Sequence, residues 1–452
     1  MRSINPATGQ VIREFPDDDE ARIAQILERA GLAFPRWSAR PVSERAAALR
    51  GVARVLRAGL ADHARLMTTE MGKTIASAEA EVEKCALTAD WVADHAPVLL
   101  APEPAPTEAR ASYVRFDPLG VVLAVMPWNF PFWQVFRCAL PALAAGNTVV
   151  LKHASNVPGC ALAIEQVFRD AGLPEGAFST LLVPSAALGP IVDHPAVRGV
   201  SLTGSEPAGR DLARRAGAAL KKTVLELGGS DAFLVLADAD IDEVAGQAAA
   251  ARVINNGQSC IAAKRFIVVE PVADRFESAF VERMRALRVG DPLDRSVQVG
   301  PLARPDLVDE LEDQVRRTVE AGATLRLGGS RLAGPGCYFP PTVLTGVEPG
   351  MAAFDEETFG PVAPVTRARD AAHALELANR SRYGLGVSLW TGNATRAREL
   401  AARCEAGAVF VNAAVKSDPR VPFGGVKCSG YGRELAAFGL REFVNVKTVW
   451  VA

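Results

Sequence analysis

The pattern of apolar positions divides the chain into a helical first hundred residues and a longer alternating part. Residues 43–58 and 74–98 carry apolar side chains at helical spacing with charges on the opposite face, which predicts two amphipathic helices. Prolines interrupt this pattern at 101–108, so we interpret that segment as a linker or crossover. Residues 442–451 alternate and predict a terminal strand that invites pairing with another chain or subdomain.

From residue 121 onward, short β-prone runs alternate with helical stretches. The first strands are predicted at 121–125, 148–151, 179–183 and 199–202. The alternation restarts after the pair Gly228 and Gly229, with further strands at 232–236 and 265–269. Such alternation is typical of parallel sheets covered on both faces. The predicted fold class is therefore α/β, with two parallel-sheet units separated by a Gly-Gly hinge.

Length, charge and cysteine content narrow the class of protein. The 452 residues suggest roughly three folding units. Lys and Arg total 50 against 52 for Asp and Glu, and this balance argues against a general nucleic-acid or acidic-membrane binder. No apolar run approaches the length of a membrane-spanning helix. The seven Cys form no CxxC pair, which indicates neither a disulfide framework nor a metal site and predicts a cytoplasmic protein.

Cys260 differs from the other cysteines in its surroundings. It follows a predicted helix in the polar segment 255–260, where the Gly, Asn and Ser residues favour a loop that can present a thiol. Most Cys residues are buried small hydrophobes, and Cys85, Cys160 and Cys404 fit that alternative because they lie in apolar helical patterns. The pattern therefore indicates Cys260 as the candidate nucleophile.

Two further polar residues follow apolar strands. Glu226 ends a strand, where burial would raise the pKa of its carboxyl group and make it a candidate general base; a solvent-facing strand-end Glu is the alternative. Asn129 lies between Pro127 and Pro131, so its amide is a candidate oxyanion donor, or else it forms only an Asx turn. The turn at Gly204 and Ser205 precedes a helix and suits phosphate groups, although many such turns serve packing alone.

Six motifs in a fixed order make this chain resemble the aldehyde dehydrogenase superfamily over almost its whole length. They are MPWNFP (126–131), LTGS (202–205), LELGG (225–229), GQSC (257–260), EETFGP (356–361) and PFGG (422–425). The resemblance implies two Rossmann-like parallel-sheet domains and a small β oligomerisation arm. The implied boundaries are 1–99 with 119–228 for the cofactor-binding domain, 229–428 for the catalytic domain, and 100–118 with 429–452 for the arm.

The resemblance also implies a role for each candidate residue. Cys260 would attack an aldehyde to form a thiohemiacetal, and Asn129 with the Cys260 backbone N–H would hold the oxyanion. Hydride transfer to the nicotinamide would leave a thioester, which water activated by Glu226 would hydrolyse. The residues implied to bind the cofactor are Trp128, Lys152, Ser155, Gly204, Ser205, Glu357 and Phe359.

One departure from the family pattern concerns the choice of cofactor. NAD-preferring members often carry an acidic residue at the position of Ser155, where it holds the adenosine 2′-hydroxyl. Without a carboxylate there, Lys152, helped by a protonated His153, could attract a 2′-phosphate. We therefore predict NADP as the cofactor, with use of NAD as the alternative because a missing acid does not by itself create a phosphate site.

The predicted substrate residues resemble the branch of the family that oxidises succinate semialdehyde to succinate. Trp133 and Arg137 lie one helical turn apart after the oxyanion Asn, and Arg137 could bind a carboxylate together with Ser417. The alternative is that Arg137 is an ordinary solvated helix residue. Another semialdehyde or an aliphatic aldehyde remains an alternative substrate.

Other classes of function remain as alternatives at this stage. A cysteine hydrolase would need a His base, and none of the five His lies in the catalytic segments. A catalytically silent protein would be expected to lack Cys260 or Glu226, and a coenzyme A-acylating enzyme would not need Glu226. The predicted partners are a small-molecule aldehyde and further copies of the chain as a homodimer or homotetramer, with neither nucleic acid nor membrane.

Overall fold

The computed structural model describes residues 1–452, beginning with a small hairpin and a group of helices. A three-stranded antiparallel sheet then starts with β3 and β4. The elements are β1 Arg2–Ile4, β2 Val11–Glu14, α1 Glu20–Ser38, α2 Val42–Ala58, α3 Leu60–Met71, α4 Ile75–Leu99, β3 Glu103–Pro104 and β4 Ala111–Pro118. The predicted helices at 43–58 and 74–98 correspond to α2 and α4, and the proline segment at 101–108 contains β3.

The next part of the chain forms the first parallel sheet. Its elements are β5 Val121–Met126, α5 Trp133–Ala145, β6 Thr148–His153, α6 Pro158–Asp170, β7 Phe178–Leu181, α7 Leu188–Asp193, β8 Val197–Thr203, α8 Glu206–Ala218 and β9 Lys222–Glu226. Every residue of β5 is buried, as expected for a strand covered on both faces. Val122 and Ala124 pack into one core while Val121, Leu123 and Val125 pack into another on the opposite face.

The second parallel sheet follows after Gly228 and Gly229. The elements of this part of the chain are β10 Asp231–Val235, α9 Ile241–Val253, β11 Ala263–Val269, α10 Glu270–Arg285, α11 Pro305–Glu320, β12 Thr324–Leu327, β13 Thr342–Thr345, α12 Ala352–Asp355, β14 Val362–Ala368, α13 Ala371–Asn379, β15 Tyr383–Gly384, β16 Gly386–Trp390, α14 Ala394–Ala401, β17 Ala408–Val411 and β18 Val426–Lys427. Strands β15 and β18 pair with each other in a separate two-stranded antiparallel sheet. The strand order is β12-β13-β14-β11-β10-β16-β17, parallel except for β12. These two parallel sheets confirm the predicted α/β class.

The C-terminal segment is shared between two sheets. Its elements are β19 Gly430–Tyr431, α15 Ala436–Leu440 and β20 Val444–Val451. The short β19 adds an antiparallel edge to the first sheet, giving the order β19-β9-β8-β5-β6-β7. Only β20 joins β4 and β3 in the arm sheet. The predicted arm boundary at 429 therefore differs from the observed sheets, because backbone pairing ties residues 430–431 to β9.

The motif segments follow the carboxyl ends of strands in the first sheet and precede the amino ends of strands in the second sheet. Strands β5, β8 and β9 are parallel neighbours, so their carboxyl ends at Met126, Thr203 and Glu226 lie along one edge. In the second sheet, β11 begins just after Cys260, and β14 begins just after the 356–361 motif. The motif segments that follow β5, β8 and β9 thus lie at the carboxyl ends of the first sheet's strands, where ligands bind in open α/β folds.

No helix in the structure is both apolar enough and long enough to cross a lipid bilayer.

Candidate active site

Five of the six motif segments line a common cleft of about 650 Å³. Cys260 and Asn129 lie on its wall together with five of the predicted cofactor residues. Those five are Trp128, Gly204, Ser205, Glu357 and Phe359. No His lines this cleft. The structure therefore brings the thiol, the candidate oxyanion amide and the candidate nucleotide-binding residues to one place, and it offers the thiol no imidazole base there.

The loop that carries Cys260 is held in an unusual backbone conformation. Asn255, Asn256 and Gly257 have φ values of 55°, 60° and 79°, in the left-handed region that non-glycine residues seldom adopt. A side chain at Gly257 would meet the backbone of Gly360 at 2.3 Å, so glycine is required there. Asn256 stabilises the loop by donating to the carbonyls of Gly72 and Pro301 at 2.8 and 3.0 Å.

A buried lysine holds the loop that carries the thiol. Lys264 is fully buried and donates through Nζ to the carbonyls of Ser259 and Cys260 at 2.7 and 2.8 Å. Burial raises the pKa of the Cys260 thiol to about 12, while Lys264 and Arg137 oppose that shift. The thiol is therefore protonated at neutral pH in this state and needs a base to become a nucleophile.

Two N–H donors lie beside the thiol. The Nδ2 atom of Asn129 donates to the carbonyl of Gln258 at 3.1 Å, and Asn255 fixes the Asn129 backbone by donating to its carbonyl at 2.7 Å. The backbone N–H of Cys260 has no acceptor within the protein. This pairing of a positioned amide with a free backbone donor is suited to holding an oxyanion.

Glu226 is buried without a hydrogen-bond partner. Its side chain is 2% exposed, and neither carboxylate oxygen accepts a hydrogen bond. Burial raises the pKa of Glu226 well above its usual value, and the nearby Arg137 guanidinium opposes this. The carboxyl group lies toward Gly424, where an added Cβ would be 2.8 Å from Oε1, and it does not line the cleft, although Leu227 and Gly228 do. The prediction of a buried carboxylate with a raised pKa is met.

Glu357 and Phe359 line the cleft, and each is held by contacts with neighbouring residues. Glu357 accepts from the Gly229 N–H at 3.0 Å and pairs with Lys264 at 3.3 Å. A Cβ at Gly228 would lie 2.4 Å from Glu357 Oε2, so the Gly-Gly segment permits this close approach. Phe359 packs edge-on against Trp128, with ring centroids 5.7 Å apart.

Lys152 and Ser155 lie at the carboxyl end of β6, away from the residues that line the cleft around Cys260. Lys152 donates to the Ser185 hydroxyl at 3.1 Å and has no carboxylate partner. Burial lowers the pKa of Lys152, and no acidic group counteracts it. The exposed Ser155 adds no negative charge. A lone ammonium of this kind suits a phosphate group.

The suggested contribution of a protonated His153 is wrong. His153 is buried, and its ring nitrogens lie 3.2 and 2.9 Å from the carbonyl oxygens of Met126 and Pro131. Burial lowers its pKa to about 4, so the imidazole is neutral near pH 7. Any positive charge at this end of the sheet therefore comes from Lys152 alone.

The predicted substrate residues Trp133, Arg137 and Ser417 are all buried. Arg137 is not a solvated helix residue: its Nε forms an ion pair with Glu434, and Nη2 donates to the Thr203 hydroxyl at 3.4 Å. The Nη1 atom of Arg137 makes no hydrogen bond in the protein. The partner Glu434 was not foreseen, because nothing in the sequence connects two residues so far apart.

Ser417 has a partner that sequence reasoning missed. Lys84, on α4, donates through Nζ to the Ser417 hydroxyl at 2.6 Å. The same ammonium lies 4.1 Å from the centroid of the Trp133 ring. Lys264 was missed as well. The only sequence signal for either lysine is a charge beside small apolar residues, which is too common to single them out.

Comparison with known proteins agrees with this geometry. A Mycobacterium avium protein named succinate-semialdehyde dehydrogenase, NADP(+), is 50% identical over 455 residues, covering 100% of this chain and 96% of that protein. An Escherichia coli protein named succinate semialdehyde dehydrogenase, NAD(P)+, is 49% identical, covering 99% of this chain and 97% of that protein.

Solved structures give the same result. The structure of Gox0499, described for its cofactor and substrate selection, superposes with a TM-score of 0.98 at 41% identity, covering 100% of this chain and 99% of that one. The succinic semialdehyde dehydrogenase of Streptococcus pyogenes, solved in complex with NADP+, gives 0.97 at 37% identity and the same coverage. The aldehyde dehydrogenase family model matches residues 1–449. The chain therefore belongs to the aldehyde dehydrogenase family.

Proposed function

We propose that this protein oxidises succinate semialdehyde to succinate with NADP as the hydride acceptor. The observation that carries the proposal is the half-buried Cys260 in a cleft, beside the Asn129 amide and an unpaired backbone N–H. The similarity to proteins named as succinate-semialdehyde dehydrogenases, at about half of all positions, supports the substrate and the cofactor.

The first chemical step is addition of the Cys260 sulfur to the aldehyde carbon. The thiol proton passes to water in the cleft and on to solvent, so Glu226 keeps its basic form for the later hydrolysis step. The carbonyl oxygen becomes the oxyanion of a thiohemiacetal. Asn129 Nδ2 and the Cys260 N–H then donate to this oxygen in place of a water shell.

The second half of the reaction converts the thiohemiacetal to the acid. NADP, when bound, supplies the acceptor for the hydride that leaves the former aldehyde carbon. A Cys260 thioester remains, and Glu226 takes a proton from the water that attacks it. The acyl–sulfur bond breaks, the carboxylic acid leaves, and the Cys260 sulfur takes a proton back from Glu226. One aldehyde, one water and one NADP+ thus yield one carboxylate, one NADPH and two protons.

The residues present fit the NADP proposal. Lys152 is a buried ammonium without a carboxylate partner, and Ser155 adds no charge that would repel a 2′-phosphate. Gly204 and Ser205 precede α8, whose N-terminal N–H groups suit a pyrophosphate. Glu357 and Phe359 would hold the ribose near the nicotinamide, and Trp128 would line the same groove.

Replacing Ser155 by Glu is expected to reverse the cofactor preference. The new carboxylate would repel a 2′-phosphate but could accept a hydrogen bond from a 2′-hydroxyl, so kcat/KM with NADP should fall about tenfold or more while NAD improves. Ser155→Gln is the matched neutral control and should change the ratio little. Initial rates with both cofactors decide the matter, and a wild type that already favours NAD by about tenfold would refute the assignment.

We propose that the substrate's carboxylate binds where Trp133, Arg137 and Ser417 meet. Arg137 retains an Nη1 atom without a protein partner and lies on the helix that follows the oxyanion Asn. Trp133 and Ser417 are both buried and would shield this charge from water. An aldehyde that ends in a carboxylate should therefore be preferred over an uncharged one of similar length.

An aldehyde panel tests this function directly. The wild type should oxidise succinate semialdehyde with NADP at a kcat/KM about tenfold or more above that for butanal, because a charge-assisted pair is available only to the former. Cofactor-free ester hydrolysis serves as the control for a cysteine hydrolase. Equal efficiency on both aldehydes would remove the carboxylate specificity, and ester hydrolysis without any aldehyde oxidation would favour the hydrolase.

We also propose that the arm pairs with a second copy of the chain in a homodimer or homotetramer. Strand β20 exposes apolar side chains, with Val446, Trp450 and Val451 at 61%, 49% and 44% exposure.

All seven cysteines are free thiols, which fits a reducing cytoplasm as the working compartment.

A further inference from the structure

Lys84, on α4, contacts two of the three residues assigned to the substrate's carboxylate. Lys84 donates to the Ser417 hydroxyl at 2.6 Å, and its ammonium lies 4.1 Å from the Trp133 ring centroid. The Arg137 guanidinium, one helical turn beyond Trp133, is close enough to act on the charge of Lys84. The same guanidinium acts on Cys260. Lys84 therefore lies among the residues proposed above to bind the substrate's carboxylate.

The charge of Lys84 is not balanced by any carboxylate. The acidic groups that act on it are Glu81 and Asp418, and neither is within ion-pair distance. Glu81 pairs with Lys73, and Asp418 pairs with Arg420 at 2.6 Å. A half-buried ammonium without a counterion raises the free energy of the folded protein unless an anion binds beside it.

Arg137 is in a different electrostatic state. Its guanidinium already forms a buried ion pair with Glu434, so its charge is largely neutralised within the protein. Its cation also stacks over Phe423, at 4.6 Å from the ring centroid. Of the two cations at this end of the substrate region, only Lys84 has a full charge to offer an incoming carboxylate.

We propose that Lys84 is the specificity-determining cation that binds the substrate's carboxylate, with Ser417 as its hydroxyl partner. This inference rests on the function proposed above and deepens it. An ammonium has three donors, so Lys84 can keep its bond to Ser417 and still donate to a carboxylate oxygen. The Trp133 ring below it keeps the ammonium in place through a cation–π contact. Arg137, held by Glu434, then supports the site as a neighbouring positive charge.

Replacement of Lys84 by Met should raise the KM for succinate semialdehyde about tenfold or more, because a charge-assisted hydrogen bond is lost. The kinetics with butanal should change less than about threefold, since butanal has no charge to bind. Lys84→Arg keeps the charge and should restore part of the affinity. Lys416→Met is the matched control: it removes an exposed charge next to Ser417 in the chain, and it should leave both substrates nearly unaffected.

The pH dependence gives a second readout that a purely structural role would not produce. Burial and, to a smaller extent, the charge of Arg137 lower the pKa of Lys84 to about 8, against the opposing effects of Cys85, Glu81 and Asp418. As pH rises through this value, the free enzyme loses the ammonium. The kcat/KM for succinate semialdehyde should then fall relative to that for butanal, and Lys84→Met should abolish this difference between the two substrates.

The outcomes separate the two proposals. If the wild type does not prefer succinate semialdehyde to butanal, the proposed function and this inference both fail. If it does, and Lys84→Met leaves the KM and the substrate-specific pH limb unchanged, the inference alone fails. Equal losses on both aldehydes, with lowered thermal stability, would assign Lys84 a structural role and also overturn it.

Discussion

Replacing Cys260 by Ala is expected to reduce aldehyde oxidation by about 10⁴-fold or more, because removal of the nucleophile eliminates the covalent route. The fold should survive. Cys260 is only half-buried in a loop, and the neighbouring backbone is held by Asn256 and Lys264 independently of the thiol. NADPH formation with succinate semialdehyde measures the loss, and thermal unfolding shows that the protein remains folded.

Cys404→Ala is the matched control for this change. Cys404 is another half-buried free thiol, and it packs into the core of the second sheet away from the cleft. Its replacement should leave kcat close to that of the wild type. Binding of NADP to Cys260→Ala, followed by protein fluorescence, should be retained. Substantial turnover by Cys260→Ala would mean that another group carries the chemistry and would refute the mechanism.

Replacing Glu226 by Gln is expected to lower kcat by about 10²- to 10⁴-fold while preserving hydride transfer. The amide cannot take a proton from water, so the thioester should accumulate after one turnover. A stopped-flow trace should therefore show a burst of about one NADPH per active site and then a very slow steady state. Mass spectrometry of the quenched protein should find a succinyl group on Cys260.

The pH profile follows from the state of Glu226. Burial raises the pKa of this carboxyl group well above its usual value, so its basic form is lost at a higher pH than that of an ordinary carboxyl group. Because hydrolysis needs that form, kcat should fall as pH decreases through the raised pKa, and the Gln variant should lack this acidic limb. Glu277→Gln is the control, since it removes a buried carboxylate paired with Arg367 in the second sheet domain and should give no burst.

Two results would contradict the role of Glu226. An unchanged kcat in Glu226→Gln would mean that a different base activates water. A kcat that depends on added coenzyme A would mean that the thioester is released to a thiol rather than to water. The second result would leave Cys260 as the nucleophile, so the two halves of the mechanism can fail separately.

Much of the fold could be predicted because its signals are local. The all-buried strand β5 reads as a continuous apolar run, and the amphipathic helices α2 and α4 show a period near 3.6 residues. The predicted ends of these elements lie within one residue of the observed ones. The antiparallel β19 was not predicted because two residues carry no periodicity, and their place depends on pairing with β9.

Only part of the candidate site could be predicted from the sequence. Cys260, Asn129 and Glu226 stand in polar or unusual local contexts, so their residue types and neighbours single them out. Lys84 does not stand out, because its position in a helix looks like any charged surface position. Its contact with Ser417 spans 333 positions of the chain and exists only after folding.

The sequence alone determined the order of strands and helices, the loops that follow β5, β8 and β9, and the side chains able to act as nucleophile, base and oxyanion donor. These properties depend on local periodicity and on chemistry that each residue carries with it. Only the tertiary structure decided which charges are free. Burial makes His153 neutral, Glu434 forms an ion pair with Arg137, and Lys84 has no carboxylate partner. These outcomes require the tertiary structure, because desolvation and ion pairing depend on which distant groups folding brings within a few ångströms.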